Sequence, residues 1–150
     1  MQNSTSDIDM KFRTMLIIWL VLFLSQFMFL GVLFTIRGDL FQKSRDGQLL
    51  GENAPIVLLF AMLALTNLIL SFVIRARSNE QAIAEQKPAY VQTGLIIACA
   101  FCESISILGF VLAVAFSYPY FYFWFALGII GIFLHFPRRK HLLDASFTAK

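Results

Sequence analysis

Apolar residues run through this chain in four long blocks, at residues 15–36, 54–74, 94–116 and 120–136, separated by short polar stretches. None of the blocks alternates with the period of two that marks a half-buried strand. About 18 or more mostly apolar residues, wound as a helix, match the hydrocarbon layer of a bilayer. The pattern predicts an all-α fold: a polytopic membrane protein built as a four-transmembrane-helix bundle, with residues 1–150 forming one membrane domain. A transmembrane β-barrel would need alternating segments of about ten residues, which are absent.

The stretches between the blocks refine this picture. Residues 1–10 are polar (Asn3, Ser4, Thr5, Ser6, Asp7, Asp9) and read as a frayed lead, and the first block is too long for a cleavable signal peptide. A loop of mixed sign follows, with Arg37, Lys43 and Arg45 against Asp39, Asp46 and Glu52. Asn53 is placed to cap the second helix, with Pro55 in its first turn. Good helix formers from Ala76 to Gln86 carry that helix beyond the membrane until Pro88 stops it. Residues 117–120 leave room only for a tight turn, so the third and fourth helices should be antiparallel neighbours. Pro137 ends the fourth helix, and the tail after it is too short for a domain.

Two internal echoes suit a duplication. Residues 14–18 (TMLII) resemble 93–97 (TGLII), and 30–33 (LGVL) resemble 108–112 (LGFVL). They predict two helical hairpins of common origin, the first span paired with the second and the third with the fourth.

Charge sets the orientation. Only 14% of the residues are charged, against about a quarter in a soluble domain. Lys11, Arg13, Arg75, Arg77, Lys87, Arg138, Arg139, Lys140 and Lys150 fall on one side of the predicted bundle, and Arg37, Lys43 and Arg45 on the other. The positive-inside rule then makes both termini cytoplasmic, in what reads as a bacterial inner (plasma) membrane. Arg138, Arg139 and Lys140 read as a membrane anchor with affinity for anionic headgroups. Tyr118, Tyr120, Tyr122 and Trp124 form an aromatic belt at the far interface. The positive charge serves topology here, and a nucleic-acid partner is not expected.

The chemistry centres on Glu103, the lone charge of the third block. An ionised side chain near the bilayer centre costs about 2.5–3.5 kcal/mol on the mildest scale, so it calls for a proton, a cation or a polar partner. Ten residues in from Thr93, Glu103 lies roughly 15 Å deep. Ser25 and Gln26 of the first block reach a similar depth, and Asn67 of the second is slightly shallower. Together with Ser104 they make up the expected ion-binding set. Cys99 and Cys102 share a helix face, but His135 and His141 are expected to lie away from them, so no metal site is predicted. No nucleophile–base set or phosphate loop occurs, which argues against an enzyme and gives no reason to expect a cofactor.

The segment Ala100-Phe101-Cys102-Glu103-Ser104-Ile105-Ser106-Ile107-Leu108-Gly109-Phe110-Val111-Leu112-Ala113 resembles the ion-carrying helix of the rotary ATPase proteolipid, subunit c. Arg77-Ser78-Asn79-Glu80 is similar to that family's polar loop. The likeness covers about a third of the chain and implies that Glu103 binds a proton or a sodium ion. The glycine motif of the family's other helix is missing from 56–65, and the fourth span is an addition.

Two functions follow as expectations. One is a small non-enzymatic component of a membrane complex, in which Glu103 serves packing. The other is a proteolipid-like protein that handles protons or cations at Glu103. A chain of this size is expected to work as a homo-oligomer or as a subunit of a larger complex. Enclosure of Glu103 by Gln26 and Asn67 would favour the first function; a carboxyl facing lipid or a groove would favour the second.

Overall fold

The computed structural model describes residues 2–42 and 53–146, with side chains from Asp7 onward. Six helices account for nearly all of them: α1 (Gln2–Ile36), α2 (Asp39–Gln42), α3 (Ala54–Glu85), α4 (Ala89–Phe116), α5 (Tyr122–Leu134) and α6 (Arg139–Ser146). No strand occurs among the described residues. The loop charges Lys43, Arg45, Asp46 and Glu52, and Lys150 in the tail, lie outside them.

α1, α3 and α4 are each long and apolar enough to cross a membrane. α5 has 13 residues, about 20 Å of helix, and falls short of the roughly 30 Å hydrocarbon layer. Large apolar side chains stay exposed along the outer faces, among them Ile17, Val21 and Met28 on α1 and Leu58, Met62 and Ile69 on α3. In water so much exposed apolar surface would drive association; against lipid it is the ordinary condition of a spanning helix. The chain is an all-helical integral membrane protein.

Local chemistry explains most of the boundaries. The polar lead is helical from Gln2 rather than frayed, and Lys11 pairs with Asp7 one turn away at 2.8 Å. Asn53 holds the N-cap position of α3, but its side chain makes no capping bond. α3 continues to Glu85, as its composition predicts, and closes with Gln86 in the left-handed region at φ 54°. α4 closes in the same way at Ser117, φ 52°. Arg37 supports that end: its guanidinium bonds the carbonyls of Ala113 and Val114 and the Ser117 hydroxyl while paired with Asp39. A cation there satisfies carbonyls with no helical partner and complements the negative end of the helix dipole. α6, in the tail, was not expected; Leu142 and Ala145 hold it against the bundle.

α4 is the hub. α3, α5 and α1 all pack on it, whereas α1 and α3 hardly touch each other. The expected pairing of hairpins is therefore only half realised. α4 and α5 do pair, but α3 turns back onto α4 instead of α1. The short connection through Pro88 favours that antiparallel contact between α3 and α4.

Glycines set the closest approach. A Cβ on Gly109 would lie 2.5 Å from Cβ of Trp124, one on Gly131 would lie 2.7 Å from the Cys102 sulfur, and one on Gly128 would overlap the Ser106 hydroxyl. Gly31 has nothing within 4 Å and plays no such part. At one end of the bundle Ile8, Met15, Ala82, Val91, Leu142 and Ala145 share a core, and Arg139 pairs with Asp9 at 2.6 Å. The start of α1, the α3–α4 turn and α6 thus gather at the same end.

Candidate functional site

The site is built on two faces of α4. Positions three and four apart on a helix share a face, and Ile96, Ala100, Glu103, Ile107, Val111 and Val114 line the side that no helix covers. α1 and α3 flank this side without meeting, so it forms the floor of a groove.

Glu103 sits half-buried at the α1 edge of the groove. Its Oε1 lies 2.6 Å from Ser25 Oγ, which is also 2.8 Å from the carbonyl of Leu22. A serine hydroxyl carries one proton. If Ser25 donates to Leu22, the short contact to Glu103 is filled by a proton on the carboxyl, and every group is satisfied. If the carboxyl is ionised, Ser25 must turn its proton to Glu103 and leave the Leu22 carbonyl to its helical bond. The geometry therefore serves both protonation states with no rearrangement beyond one hydroxyl rotation.

At the α3 edge, Asn67 donates through Nδ2 to Ser104 Oγ at 2.8 Å, and Ser104 donates to the Phe101 carbonyl at 2.7 Å. Asn67, Ser104, Ile96, Ile97, Ala100 and Phe101 line a shallow recess there. Gln26 is elsewhere: one residue beyond Ser25, it turns fully into the interior. Of the five residues expected at one ion site, the structure joins Ser25 to Glu103 and Asn67 to Ser104, and brings neither Gln26 nor Asn67 onto the carboxyl. The anchor residues Arg138, Arg139 and Lys140 are exposed at the α6 end.

A second set of polar groups is buried in the interior around α4, and apart from Gln26 the sequence expectation gave none of them a place at a site. The nine-tenths-buried polar side chains are Gln26, Ser71, Arg75, Ser106 and His135. Ser106 Oγ and both amide atoms of Gln26 have no partner. They meet at Gly128, where an added Cβ would lie 3.4 Å from Gln26 Oε1 and 2.9 Å from the Cys102 carbonyl. One turn back along α4, the Cys102 sulfur packs against Gly131 of α5. Ser71 Oγ donates to the Leu68 carbonyl at 2.6 Å and lies 3.0 Å from His135 Nε2. His135 is thus tied to α3 through one hydroxyl. The signal that could have revealed the close contacts on α4 was the pair of close-approach glycines, Gly128 and Gly131, facing Ser106 and Cys102.

Arg75 is buried beside this set and bonds the Val91 carbonyl at 3.3 Å. Its charge reaches His141 on α6, where burial first, and then the cations Arg75 and Arg138, hold the imidazole below its ordinary range. Among the described residues no three His, Cys, Asp or Glu side chains converge as metal ligands. Comparison with family models, with characterised proteins and with solved structures gives no match, so the chemistry of the site rests on its geometry.

Proposed function

We propose that this protein is a non-enzymatic, proton-handling component of a membrane assembly, with Glu103 as its intramembrane exchange site. The observation that carries this reading is the place of the carboxyl. It stands half-buried on the open side of α4, held by one hydroxyl, with Gln26 turned into the interior and Asn67 bonded to Ser104. A proton fits better than a sodium ion, because among the described residues Ser25 is the single side chain bonded to Glu103 and a cation would ask for several converging oxygens. The resemblance of α4 to the rotary ATPase proteolipid helix points the same way. In this reading α5 completes a fourth span with the aromatic turn before it, both termini are cytoplasmic in a bacterial inner membrane, and the groove is covered by a second copy or a partner subunit.

A purely structural role is the second reading. It is favoured by the Asn67–Ser104 bond, which ties α3 to α4 as polar side chains do between helices in lipid. Modification of the reconstituted protein by a hydrophobic carbodiimide, with Glu103→Gln as control, separates the two. Selective labelling of Glu103 that falls as pH rises supports the exchange site, and protection by sodium at constant pH would shift the assignment to a cation. Absence of labelling in a folded protein, with Glu103→Gln equally stable, leaves the structural role.

A further inference from the structure

Among the described residues, the α6 end of the bundle holds a buried cation with no counter-charge. Arg75 directly follows the second apolar block and is only 8% exposed. It donates from Nη1 to the Val91 carbonyl of α4 at 3.3 Å, a long contact. A guanidinium carries five N–H donors in a fixed fork, so most of them are left over. No described carboxylate pairs with Arg75: the ion pairs at this end are Lys11–Asp7, Lys87–Glu85 and Arg139–Asp9. The side-chain atoms sealed without a partner belong to Gln26, Asn79 and Ser106, and Arg75 is not among them, so its spare donors reach the surface. A buried charge is costly unless it is paired.

Two more cations stand close by. Arg138 and Lys140 are exposed and, among the described residues, pair with no carboxylate, whereas Arg139 pairs with Asp9. α6 docks through Leu142 and Ala145, which share a core with Ala82 of α3 and Val91 of α4. The charges of Arg75, Arg138 and Lys140 all act on His141, with Asp144 as the opposing charge. We propose that Arg75, Arg138 and Lys140 form a binding site for a phosphate group, with Arg75 as its innermost ligand. Depth favours the phosphate of a lipid headgroup. Arg75 begins where the second apolar block ends, and Arg138 follows the fourth block by two residues, so both lie level with the polar headgroups. Basic pockets between helices at that level take anionic headgroups. Arginine suits the task because its fork can give two parallel hydrogen bonds to one phosphate. The bound anion supplies the charge that the chain itself withholds from Arg75, and it ties α3 to α6. A diffuse basic surface would instead use Arg138, Arg139 and Lys140 alike. The site asks nothing of Glu103 and stands apart from the exchange reading.

The test uses the full chain in maltoside micelles, which carry no phosphate. Phosphatidylglycerol, diacylglycerol and inorganic phosphate are each added, and lipid retained in native mass spectra and the thermal midpoint are read. The expected result is one phosphatidylglycerol held per chain with a raised midpoint, and no comparable effect of diacylglycerol, which has the tails without the phosphate. Arg75→Gln should weaken binding about tenfold or more, the usual effect of losing a hydrogen bond between charged groups. Arg138→Gln, at an exposed position, should weaken it by a smaller factor, and Arg139→Gln should leave it unchanged. Should Arg75→Gln fail to fold, the contrast between Arg138→Gln and Arg139→Gln decides. Stabilisation by inorganic phosphate equal to that by the lipid, and lost in Arg138→Gln, keeps the site and makes its ligand a free phosphate. Full binding by a folded Arg75→Gln, equal losses from Arg138→Gln and Arg139→Gln, an equal effect of diacylglycerol, or no response to either phosphate source overturns the site.

Discussion

The two long sides of α4 carry similar residues and use them in opposite ways. On the covered side Cys102, Ser106 and Gly109 lie against α5 with no room to spare, and Ser106 is buried without a partner. On the open side Glu103 and Ser104 each have a partner on a flanking helix, although their neighbours Ala100 and Ile107 are exposed. Polarity is thus better satisfied where packing is loose. Close packing limits the directions from which a partner can come, whereas an open groove lets side chains from α1 and α3 reach in. Stability should accordingly depend on the covered side and exchange on the open one.

The sharpest way to break this contrast is to fill the covered side. Gly128→Leu should cost about 3 kcal/mol, because the new side chain meets Ser106 and the Cys102 backbone. Unfolding in mixed micelles would measure it; a neutral result would mean that α5 is not docked as described. Gln26→Leu should act in the opposite sense and stabilise by about 1 kcal/mol, since it removes two unsatisfied buried atoms. A clear loss of stability instead would reveal a hydrogen-bond partner for the amide. On the open side, effects on stability should be small. Asn67→Leu should cost about 0.6 kcal/mol, the usual worth of an interhelical hydrogen bond in lipid. Glu103→Gln should cost no more than that while abolishing carbodiimide labelling. A large stability loss from Glu103→Gln would erase the distinction between the two sides.

The smallest expected effect is on pH. The imidazole of His141 is held below its ordinary value of 6.5, so the folded state favours its neutral form. The unfolded chain then binds a proton more readily than the folded one just below that pH. Stability from α6 docking is full above about 6.5 and is lost as pH falls toward the lower folded value. Hydrogen exchange of the α6 amides should therefore quicken on mild acidification, and His141→Gln should flatten the profile.

Much of the architecture was legible from one dimension. The apolar blocks over 15–36, 54–74 and 94–116 became α1, α3 and α4, because a membrane helix needs only length and hydropathy to be recognised. The extension of α3 to Glu85 followed from helix formers and Pro88. The pairing of helices was not legible. Apolar blocks resemble one another, so the echoes that pointed to α1 against α3 carried little information about contact. The site was half legible: depth put Ser25, Gln26 and Asn67 within reach of Glu103, and in the structure Ser25 bonds the carboxyl whereas Asn67 bonds Ser104. Depth alone gives no rotation about the helix axis, and Gln26, one residue from Ser25, lies a hundred degrees round and faces the interior. The bond between Ser71 and His135 and the close contact of Ser106 with Gly128 were invisible for the same reason, since their members are small or mildly polar and come from segments far apart in the chain.

Composition and block length by themselves determined that this chain is helical and membrane-bound, and that its third apolar block carries one acid, because transfer into hydrocarbon depends on each segment's own residues. Tertiary structure alone decided which side of α4 remains open, which glycines admit α5 and whether Glu103 is enclosed. Those outcomes depend on how each helix is rotated against its neighbours, and rotation is set by side-chain packing across segments far apart in the chain.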